Sequence, residues 1–388
     1  MKQILEGSQA ISQTINNIGP AVISAYPITP QTHIVEDLAK LKADGKAGYE
    51  YVRAESEFAA ASIVCGASAA GARVYTATSS QGLLLMTEVI FNIAGMRLPV
   101  VLTCANRGVS APITIWNDHQ DVMTVRDAGW ILLFAENHQE AVEQHILAYK
   151  VAEQTRLPVI VNVDGFVLTH TYEDVSIPTA AAIKKYLPAY KPAKGEYLDT
   201  ANPASFGAFA APAYYMEIRQ ELHSDLVNSA ETIKAEYEKL KKIMPEAIKS
   251  SEANTLVNNG LLEYYGPKKP KTVLVALGSL IGTIKDVADE FKNVGVLKIK
   301  CLRPFPAEEI LSILSGVKRV AVIEKAVSLG AADGPVALEI KAAAQGRLKN
   351  KIRSFVVGLG GRDITRQMIK NIIADANKGD DAMKFIGK

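Results

Sequence analysis

The stretch ESEFAAASIVCGASAAGARVYTATSSQGLLLMTE, residues 55–88, decides the fold of this chain. Its first part predicts a helix over Glu55–Ala70, and Phe, Ala, Ile and Val stand on every side of that helix. A helix that is apolar all round has to be buried. A short apolar strand, Arg73–Ala77, follows, and helical periodicity resumes over Leu84–Ala94. The stretch therefore predicts a buried helix, strand and helix of an α/β protein.

The same alternation of strands and helices extends through the first 165 residues. Outside the quoted stretch, short runs rich in Val, Ile and Tyr predict strands at Ala21–Ala25, Tyr49–Val52, Pro99–Thr103, Trp130–Phe134 and Pro158–Val163. Segments with helical periodicity lie between these runs. Repeated strand–helix units of this length imply a parallel sheet that is covered by helices on both faces.

The pattern changes after this first unit. From Tyr172 to Pro212, prolines interrupt a segment rich in Tyr, Ala and Gly, which predicts an ordered crossover. An apolar stripe from Leu222 to Met244 marks a long amphipathic helix, and a second series of strands and helices begins near Lys271. We expect an α/β fold with two parallel-sheet domains. The expected boundaries are residues 1–175 for the first domain, 176–267 for the crossover and long helix, and 268–388 for the second domain.

Composition limits the classes of function. Hydrophobic residues make up 48% of the 388 residues, and Lys plus Arg (43) nearly balance Asp plus Glu (41), so nucleic-acid binding is not indicated. The apolar runs are shorter than a membrane span, and the N-terminus leads into a helix-like pattern without a signal core. We therefore expect a cytoplasmic protein. The three cysteines, Cys65, Cys104 and Cys301, are far apart, which excludes an iron–sulfur cluster site built within this chain alone.

The loop SAYPITPQT, residues 24–32, follows directly on a predicted strand. Each proline fixes its own φ and restricts the preceding residue, so Tyr26-Pro27 and Thr29-Pro30 are stiff dipeptides. Stiff loops at strand ends are where α/β proteins hold substrates. From these residues alone, a simple transition from strand to helix explains the loop equally well.

Two further positions carry candidate chemistry. Glu55 and Glu57 stand about 200° apart around a helix, so only one of them can face a given ligand. Such a glutamate either complements the helix dipole or holds a proton donor, which in this fold class suggests a heterocyclic cofactor. Arg107 follows the strand Pro99–Thr103 at the carboxyl end of the sheet, where its guanidinium suits a carboxylate or phosphate. A surface arginine is the alternative.

Two other motifs are weaker. NDHQD, residues 117–121, has three residues able to bind a metal, but a polar helix start explains it better, so we predict no metal site. GLGGRD, residues 358–363, departs from the G-x-G-x-x-G pattern of dinucleotide sites and is better explained as a tight turn. P-loop and nucleophile-elbow motifs do not occur in the sequence.

Five motifs in order resemble the alpha subunit of the 2-oxoacid:ferredoxin oxidoreductases, closest to the multi-subunit pyruvate:ferredoxin branch. They are SAYPITPQT, the opening stretch, LPVVLTCANRGVSAPITIWNDHQD (98–121), VNVDGF (161–166) and GLGGRD. The resemblance implies an oxidoreductase that is active only with partner subunits. It also implies a first domain similar to the thiamine diphosphate pyrimidine-binding fold and a second domain similar to the transketolase C-terminal domain.

The resemblance assigns roles residue by residue. Glu57 matches the family's catalytic glutamate, which hydrogen-bonds the aminopyrimidine ring and so promotes formation of the nucleophilic thiazolium carbon. Thr29 and Arg107 match the residues that bind the 2-oxoacid. The remaining expected site residues are Tyr26 and Ile113 for substrate, with Ile115 as a further apolar wall residue, and Pro27, Ile28, Ser80 and Gly82 for cofactor.

The resemblance also implies that the site is shared with other subunits. VDGF lacks the first glycine of the motif that holds Mg²⁺ and the diphosphate, so these groups belong to a beta subunit, and [4Fe-4S] clusters belong to partners. We expect beta, gamma and ferredoxin-like delta subunits in a dimer of hetero-oligomers, with coenzyme A as co-substrate and ferredoxin as acceptor. The expected reaction converts pyruvate to acetyl-CoA and CO₂.

Three alternatives stay open. Relatives often have Ala-Leu where this chain has Gly108-Val109, which predicts a roomier pocket that admits branched or aromatic 2-oxoacids such as 2-oxoisovalerate or phenylglyoxylate. The second alternative is a non-catalytic scaffold subunit that binds only its partners. The third is a nicotinamide-dependent dehydrogenase that uses GLGGRD.

Overall fold

The computed structural model describes residues 2–248, 252–376 and 382–387. Its strands are β1 (Lys2–Glu6), β2 (Val22–Ala25), β3 (Glu50–Arg53), β4 (Val74–Thr78), β5 (Val101–Asn106), β6 (Ile131–Phe134), β7 (Val159–Asp164), β8 (Tyr172–Ser176), β9 (Thr255–Asn258), β10 (Leu262–Tyr265), β11 (Thr272–Ala276), β12 (Val294–Ile299), β13 (Cys301–Arg303), β14 (Arg319–Glu324), β15 (Lys351–Val356) and β16 (Lys384–Phe385).

The helices are α1 (Gly7–Ile18), α2 (Thr32–Ala43), α3 (Glu57–Ala69), α4 (Ser80–Leu85), α5 (Thr87–Gly95), α6 (Gln120–Thr124), α7 (His138–Thr155), α8 (Ala180–Tyr186), α9 (Pro212–Ile243), α10 (Leu280–Ala288), α11 (Ala307–Leu314), α12 (Pro335–Ala344) and α13 (Arg366–Asp375). Short 3-10 turns span Pro245–Ala247 and Leu359–Gly361. Across the described ranges, every helix is too short or too polar to cross a membrane.

The first sheet has the strand order β13-β6-β7-β5-β4-β2-β3. Neighbouring strands from β6 to β3 run parallel, so the predicted parallel sheet is confirmed. Helix α3 lies against β2 and β4, as the apolar opening stretch requires. One stripe of α3 is nevertheless exposed, including Phe58, Ser62 and Gly66, so the expectation that this helix is buried on every side is wrong for the single chain.

A small antiparallel sheet joins the two ends of the first unit. Strand β1 pairs with β8 over the whole length of both strands. The helix-like pattern expected at the N-terminus therefore begins only at Gly7, and the ordered crossover expected after Tyr172 contains both β8 and α8. Pairing between segments about 170 residues apart is a tertiary effect that local periodicity does not report.

The second sheet has the order β16-β15-β14-β11-β12-β10-β9. Its parallel core of β12, β11, β14, β15 and β16 carries β10 and β9 as antiparallel additions. These two strands lie before residue 268, so the sheet begins earlier in the chain than the expected domain boundary. Strand β13, from the second unit, pairs antiparallel with β6 of the first sheet and ties the units together.

The long predicted helix is α9, which begins at Pro212 and packs against α7. Its buried side includes the apolar positions of the predicted stripe, Leu222, Ile233, Tyr237 and Leu240. The prediction of one amphipathic helix is therefore confirmed, although the helix starts ten residues earlier than the stripe, because Pro is well tolerated in a first turn.

A buried network of ion pairs holds the second unit against the first. Lys298 of β12 donates hydrogen bonds to Glu136 (2.7 Å) and Glu140 (2.8 Å), and Lys300 donates to Glu143 (2.7 Å). Burial alone would lower the pKa of Lys298, but the carboxylates of Glu140 and Glu136 raise it above its ordinary value. The two lysines of the second unit therefore stay charged inside the interface, because glutamates of the first unit carry the opposite charge beside them.

Candidate active site

The candidate site lies at the carboxyl edge of the first sheet, where four parallel strands end. The SAYPITPQT loop follows β2, the turn into α4 follows β4, the Arg107 loop follows β5, and the VDGF turn follows β7. Because neighbouring parallel strands point the same way, these four segments meet at one edge. This edge brings together the segments that carry the expected site residues.

Glu57 and Glu55 face different environments. Glu57 is the first residue of α3 and is only 7% exposed, whereas Glu55 is exposed. The backbone enters the helix through Ser56, whose Oγ accepts a hydrogen bond from the Ala59 N–H at 3.1 Å. The capping role therefore belongs to the serine side chain, and the Glu57 carboxylate is directed into the protein.

The Glu57 carboxylate packs closely against the start of α4. A Cβ atom at Gly82 of α4 would lie 2.7 Å from Glu57 Oε1 and 2.4 Å from Thr78 Oγ1, so only glycine fits between them. The buried side-chain atoms Thr78 Oγ1, Ser79 Oγ and Gln81 Nε2 have no hydrogen-bond partner among the described residues. A buried carboxylate beside unpaired hydroxyl and amide groups is suited to a nitrogen heterocycle, so these residues fit an aminopyrimidine.

The SAYPITPQT loop is held by a side chain that the sequence analysis did not identify. Gln31 is fully buried, its Nε2 donates to the Ala77 carbonyl at 2.7 Å, and its Oε1 accepts from the Ile28 N–H at 3.2 Å. On the other side, a Cβ at Gly165 would lie 2.6 Å from Pro30. The glutamine has no sequence signal of its own, because a glutamine before a helix is usually exposed.

Arg107 reaches this loop directly. Its side chain is 6% exposed, its Nη1 donates to the Thr29 carbonyl at 2.8 Å, and its Nε donates to the Thr114 carbonyl at 2.6 Å. Nη2 makes no hydrogen bond to a described residue and is the part of the fork left for an anion. Burial lowers the pKa of the guanidinium from its usual value, but not enough to discharge it at neutral pH.

Asp121 connects the Arg107 loop to the turn into α4. Its buried carboxylate accepts hydrogen bonds from the backbone N–H groups of Ser80 and Arg107 (both 3.0 Å) and from Asn106 Nδ2 (3.0 Å). Burial raises its pKa to about 6, against the opposing effect of these hydrogen bonds. Ser80 takes a left-handed φ of 45° and donates through Oγ to the Gly108 carbonyl at 2.6 Å. Asp121 therefore positions two site segments, a role its motif did not reveal.

The rest of NDHQD joins the two units. His119 Nε2 lies 2.6 Å from Asp164 Oδ1, Lys325 Nζ donates to Asp164 Oδ2 at 2.8 Å, and Asp118 accepts from the Gly360 N–H at 3.1 Å. Burial would raise the pKa of Asp164, but the charges of Lys325 and His119 lower it well below its ordinary range. Both carboxylate oxygens of Asp164, in the VDGF turn, are thus bonded to protein groups.

GLGGRD packs against the first unit. A Cβ at Gly361 would lie 2.4 Å from Trp116 Cβ, and the Gly361 N–H donates to the Asn117 carbonyl at 2.7 Å. All three glycines of the motif have positive φ. The glycines therefore allow close protein packing in a tight turn, and the space a dinucleotide pyrophosphate needs is filled by protein.

The expectation of a roomier pocket at Gly108-Val109 is wrong for Gly108. A Cβ at Gly108 would lie 2.6 Å from Thr114 Cγ2 and 3.0 Å from Asp118 Oδ2. The volume that a larger residue would fill is therefore occupied by the folded-back loop itself. Motif comparison misses this, because it counts the side chain lost and not the neighbour that replaces it.

The remaining expected site residues lie at the outer rim. Ile113 is 80% exposed, Ile115 is exposed, and Tyr26 and Pro27 are exposed beside the partly buried Ile28. Ile113 and Ile115 therefore present their side chains to solvent on the loop that carries Arg107.

Comparisons with known proteins follow the same division of the chain. Residues 14–239 match the thiamine diphosphate-binding family of pyruvate flavodoxin/ferredoxin oxidoreductase, and residues 271–369 match core domain II of pyruvate:ferredoxin oxidoreductase. The fold resembles a solved 2-oxoglutarate:ferredoxin oxidoreductase from Magnetococcus marinus, with a TM-score of 0.70 and 21% identity. That match covers 97% of this chain but only 65% of the neighbour's chain.

Full-length relatives are more similar. The chain is 43% identical to the pyruvate synthase subunit PorA of Methanocaldococcus jannaschii, over 99% of this chain and 97% of the relative. It is 42% identical to PorA of Methanosarcina barkeri (97% and 92%) and 36% identical to the ketoisovalerate oxidoreductase subunit VorA of Pyrococcus horikoshii (97% and 94%). The resemblance drawn from the five motifs is confirmed: the chain belongs to the pyruvate flavodoxin/ferredoxin oxidoreductase family, whose members are thiamine diphosphate-binding oxidoreductases.

Proposed function

We propose that the chain is the alpha subunit of a pyruvate synthase, which converts pyruvate and coenzyme A to acetyl-CoA and CO₂. Electrons pass to iron–sulfur clusters in partner subunits and then to ferredoxin. The single observation that carries the proposal is the Glu57 carboxylate, which is buried at the start of α3 and packs against Gly82 of α4. Identity of 43% to a PorA subunit over nearly the whole chain supports pyruvate as substrate.

Glu57, Ser80, Gly82, Pro27 and Ile28 would hold the aminopyrimidine half of thiamine diphosphate. When bound, the cofactor would supply the nucleophilic carbon for attack on the keto group. It would also take up the electron pair that the broken C–C bond leaves behind when CO₂ departs. The Glu57 carboxylate holds a proton at the pyrimidine ring nitrogen. Gly82 lets the ring approach that carboxylate, since any side chain there would displace it.

Arg107 and Thr29 would bind the 2-oxoacid. The unoccupied Nη2 of the guanidinium pairs with the substrate carboxylate, and the exposed Thr29 hydroxyl meets the keto oxygen. Tyr26 lies at the open rim of the same loop. Gln31 and Asp121 keep the two loops in place before substrate arrives, so little ordering entropy is lost on binding.

Partner subunits would complete the site. The exposed stripe of α3 starts with Phe58, which is 40% exposed next to Glu57, and an apolar surface of this kind is typical of a subunit interface. Both carboxylate oxygens of Asp164 are bonded to protein groups, and the three free cysteines, of which Cys104 and Cys301 are buried, are far apart in the sequence. We therefore assign Mg²⁺ to a beta subunit and the [4Fe-4S] clusters to other partners, the gamma and delta subunits among them, in a cytoplasmic dimer of hetero-oligomers.

The test is Glu57→Gln in the co-purified complex, with Glu55→Gln as the matched control. We expect Glu57→Gln to lower pyruvate-dependent viologen reduction by about 10²–10⁴-fold, the usual effect of losing a proton-holding group. The exposed Glu55 should tolerate the change with full activity. Full turnover by Glu57→Gln would refute the proposal. Calorimetric titration with thiamine diphosphate separates a scaffold subunit, which would show no binding dependent on Glu57.

The runner-up function is the same chemistry on a branched-chain 2-oxoacid, and the 36% identity to a VorA subunit favours it specifically. The complex should be assayed with pyruvate, 2-oxoisovalerate, 2-oxoglutarate and phenylglyoxylate. We expect the highest kcat/KM with pyruvate, because Gly108 does not enlarge the pocket. A higher kcat/KM with 2-oxoisovalerate would transfer the assignment to the branched-chain enzyme.

A further inference from the structure

Three side chains with metal-binding atoms converge beside the candidate active site. Glu6 ends β1, His33 lies in the first turn of α2, and His170 lies in the loop between β7 and β8. One ligand atom from each lies within 4.8 Å of the others, and His33 Nδ1 is 2.6 Å from Glu6 Oε1. These residues come from three separate segments, so the tertiary fold alone assembles the cluster.

The residue types suit a divalent transition metal. Two imidazoles and one glutamate are a ligand set that zinc uses where a fourth position stays open to water. The His33 and His170 ring centroids are 4.5 Å apart, close to the separation of about 5 Å for two imidazoles on one tetrahedral ion. Asp37, one turn after His33 on α2, adds a second negative charge on the same side.

The surroundings orient the cluster and leave it accessible. Thr169 Oγ1 lies 2.7 Å from His170 Nδ1, and its position is set in turn by the Phe166 N–H, which donates to it at 2.8 Å. Hydroxyl or carbonyl partners of this kind fix the rings of metal-binding histidines. The His33 side chain is 47% exposed, so an ion can enter from solvent. Glu6 is buried, and a bound metal ion would give its carboxylate a positively charged partner.

We propose that Glu6, His33 and His170 form a binding site for one divalent transition-metal ion of the zinc class. The ion replaces the hydrogen bond between His33 and Glu6, and these two atoms move apart to about 3.3 Å, the spacing of ligands on a tetrahedral zinc. It joins the N-terminal strand, the start of α2 and the loop at His170. None of the three residues is among those assigned to the cofactor or the substrate.

The location ties this site to the substrate loops. His33 follows the SAYPITPQT loop by one residue, and His170 contacts the Phe166 ring at a centroid distance of 4.7 Å. Phe166 in turn contacts Trp116 at 4.6 Å, on the loop that carries Arg107. A bound ion therefore contacts, directly or through Phe166, two segments that carry expected substrate residues.

The experiment titrates the full-length chain, expressed without its partners, with Zn²⁺ by calorimetry and with Co²⁺ by visible absorption. We expect one equivalent to bind, with d–d bands of a four-coordinate Co²⁺ ion. His33→Gln and His170→Gln should each weaken binding at least tenfold, whereas His223→Gln, at an exposed histidine on α9, should leave it unchanged. Equal affinity in all variants, or no binding by the wild-type chain, would overturn the proposal.

A second measurement uses the complex with its partner subunits, in case the chain or a variant does not fold without them. The co-purified complex is grown with added zinc, and its zinc content is measured by mass spectrometry for the wild type and for His33→Gln/His170→Gln. We expect the wild type to carry one zinc more per alpha chain than the double variant. Equal zinc contents in the two complexes would contradict the site.

Discussion

The substitution Gly82→Ala tests whether the position of the Glu57 carboxylate decides binding of the cofactor ring. Gly82 lies in α4 with an ordinary helical φ, so alanine suits its backbone. The new methyl group would, however, lie 2.7 Å from Glu57 Oε1, where an ordinary contact is at least 3.4 Å. The oxygen must therefore retreat by about 0.7 Å, and Thr78 Oγ1 must move further.

The displacement predicts a large loss of activity with a small loss of stability. A misplacement of about 1 Å in a catalytic group costs on the order of 10²-fold in rate. Crowding one methyl group into a packed site costs about 1–3 kcal/mol, and the better helix propensity of alanine returns up to about 1 kcal/mol. The complex should therefore assemble and melt within a few degrees of the wild type while turnover falls roughly a hundredfold.

The assay is pyruvate-dependent viologen reduction by the co-purified complex, together with calorimetric titration of thiamine diphosphate. Gly95→Ala is the matched control, because that glycine is also helical and its Cβ would meet nothing within 4 Å. The control should keep full activity. Wild-type turnover and cofactor affinity in Gly82→Ala would refute the reasoning, since the methyl group cannot share that space with the carboxylate and a ring.

Three further predictions follow from other parts of the structure. Asp121→Asn turns one of the two acceptor oxygens into an amide donor, which faces either the Ser80 and Arg107 N–H groups or the Asn106 and Val122 donors, so KM for pyruvate should rise about tenfold or more with a smaller change in kcat; an unchanged KM would contradict the positioning role. Lys298→Ala removes the lysine that bridges Glu136 and Glu140, which keep longer ion pairs with Lys285 (3.4 Å) and Lys300 (3.1 Å), and should lower the free energy of unfolding by up to about 3–5 kcal/mol in denaturant titration; a loss below 1 kcal/mol would show that the network is dispensable. Burial raises the pKa of Glu324 to about 7 from an ordinary 4.5, so the folded state binds that proton more tightly than the unfolded state. The stability this group contributes is therefore complete below about pH 4.5 and declines by up to about 3 kcal/mol as the pH rises to about 7. The Glu324→Gln variant lacks this titrating group and should not show the decline. The free energy of unfolding of the variant, relative to that of the wild type, should therefore increase between pH 5 and pH 8. If the difference between the two stays constant with pH, the raised pKa of Glu324 is contradicted.

The strands and the buried glutamate show what local pattern can predict. All six strands expected in the first 165 residues are present and parallel, because strands covered on both faces must be apolar along their length. The two-residue spacing also predicted that Glu55 and Glu57 face different sides of the helix. Which of the two is buried depends on where α3 lies against the sheet, and the family resemblance supplied that choice before the structure did.

The missed elements share a physical cause. Strands β1, β8, β9 and β10 are short, and their pairing with other strands, about 170 residues away for β1 and β8, defines them more than their own sequence does. Gln31 and Asp121 likewise look like ordinary polar residues near helix starts. Because both side chains are buried in the folded protein, they make the hydrogen bonds that hold the substrate loops in place.

By itself, the sequence determined the alternation of strands and helices, the parallel first sheet and the family. These depend on periodicity and on ordered motifs, which are local properties of the chain. The tertiary structure alone decided that Gly108 is packed and not a source of space, that NDHQD joins two units, and that Glu6, His33 and His170 meet. Those outcomes depend on distances between segments remote in sequence, and such distances arise only when the whole core closes.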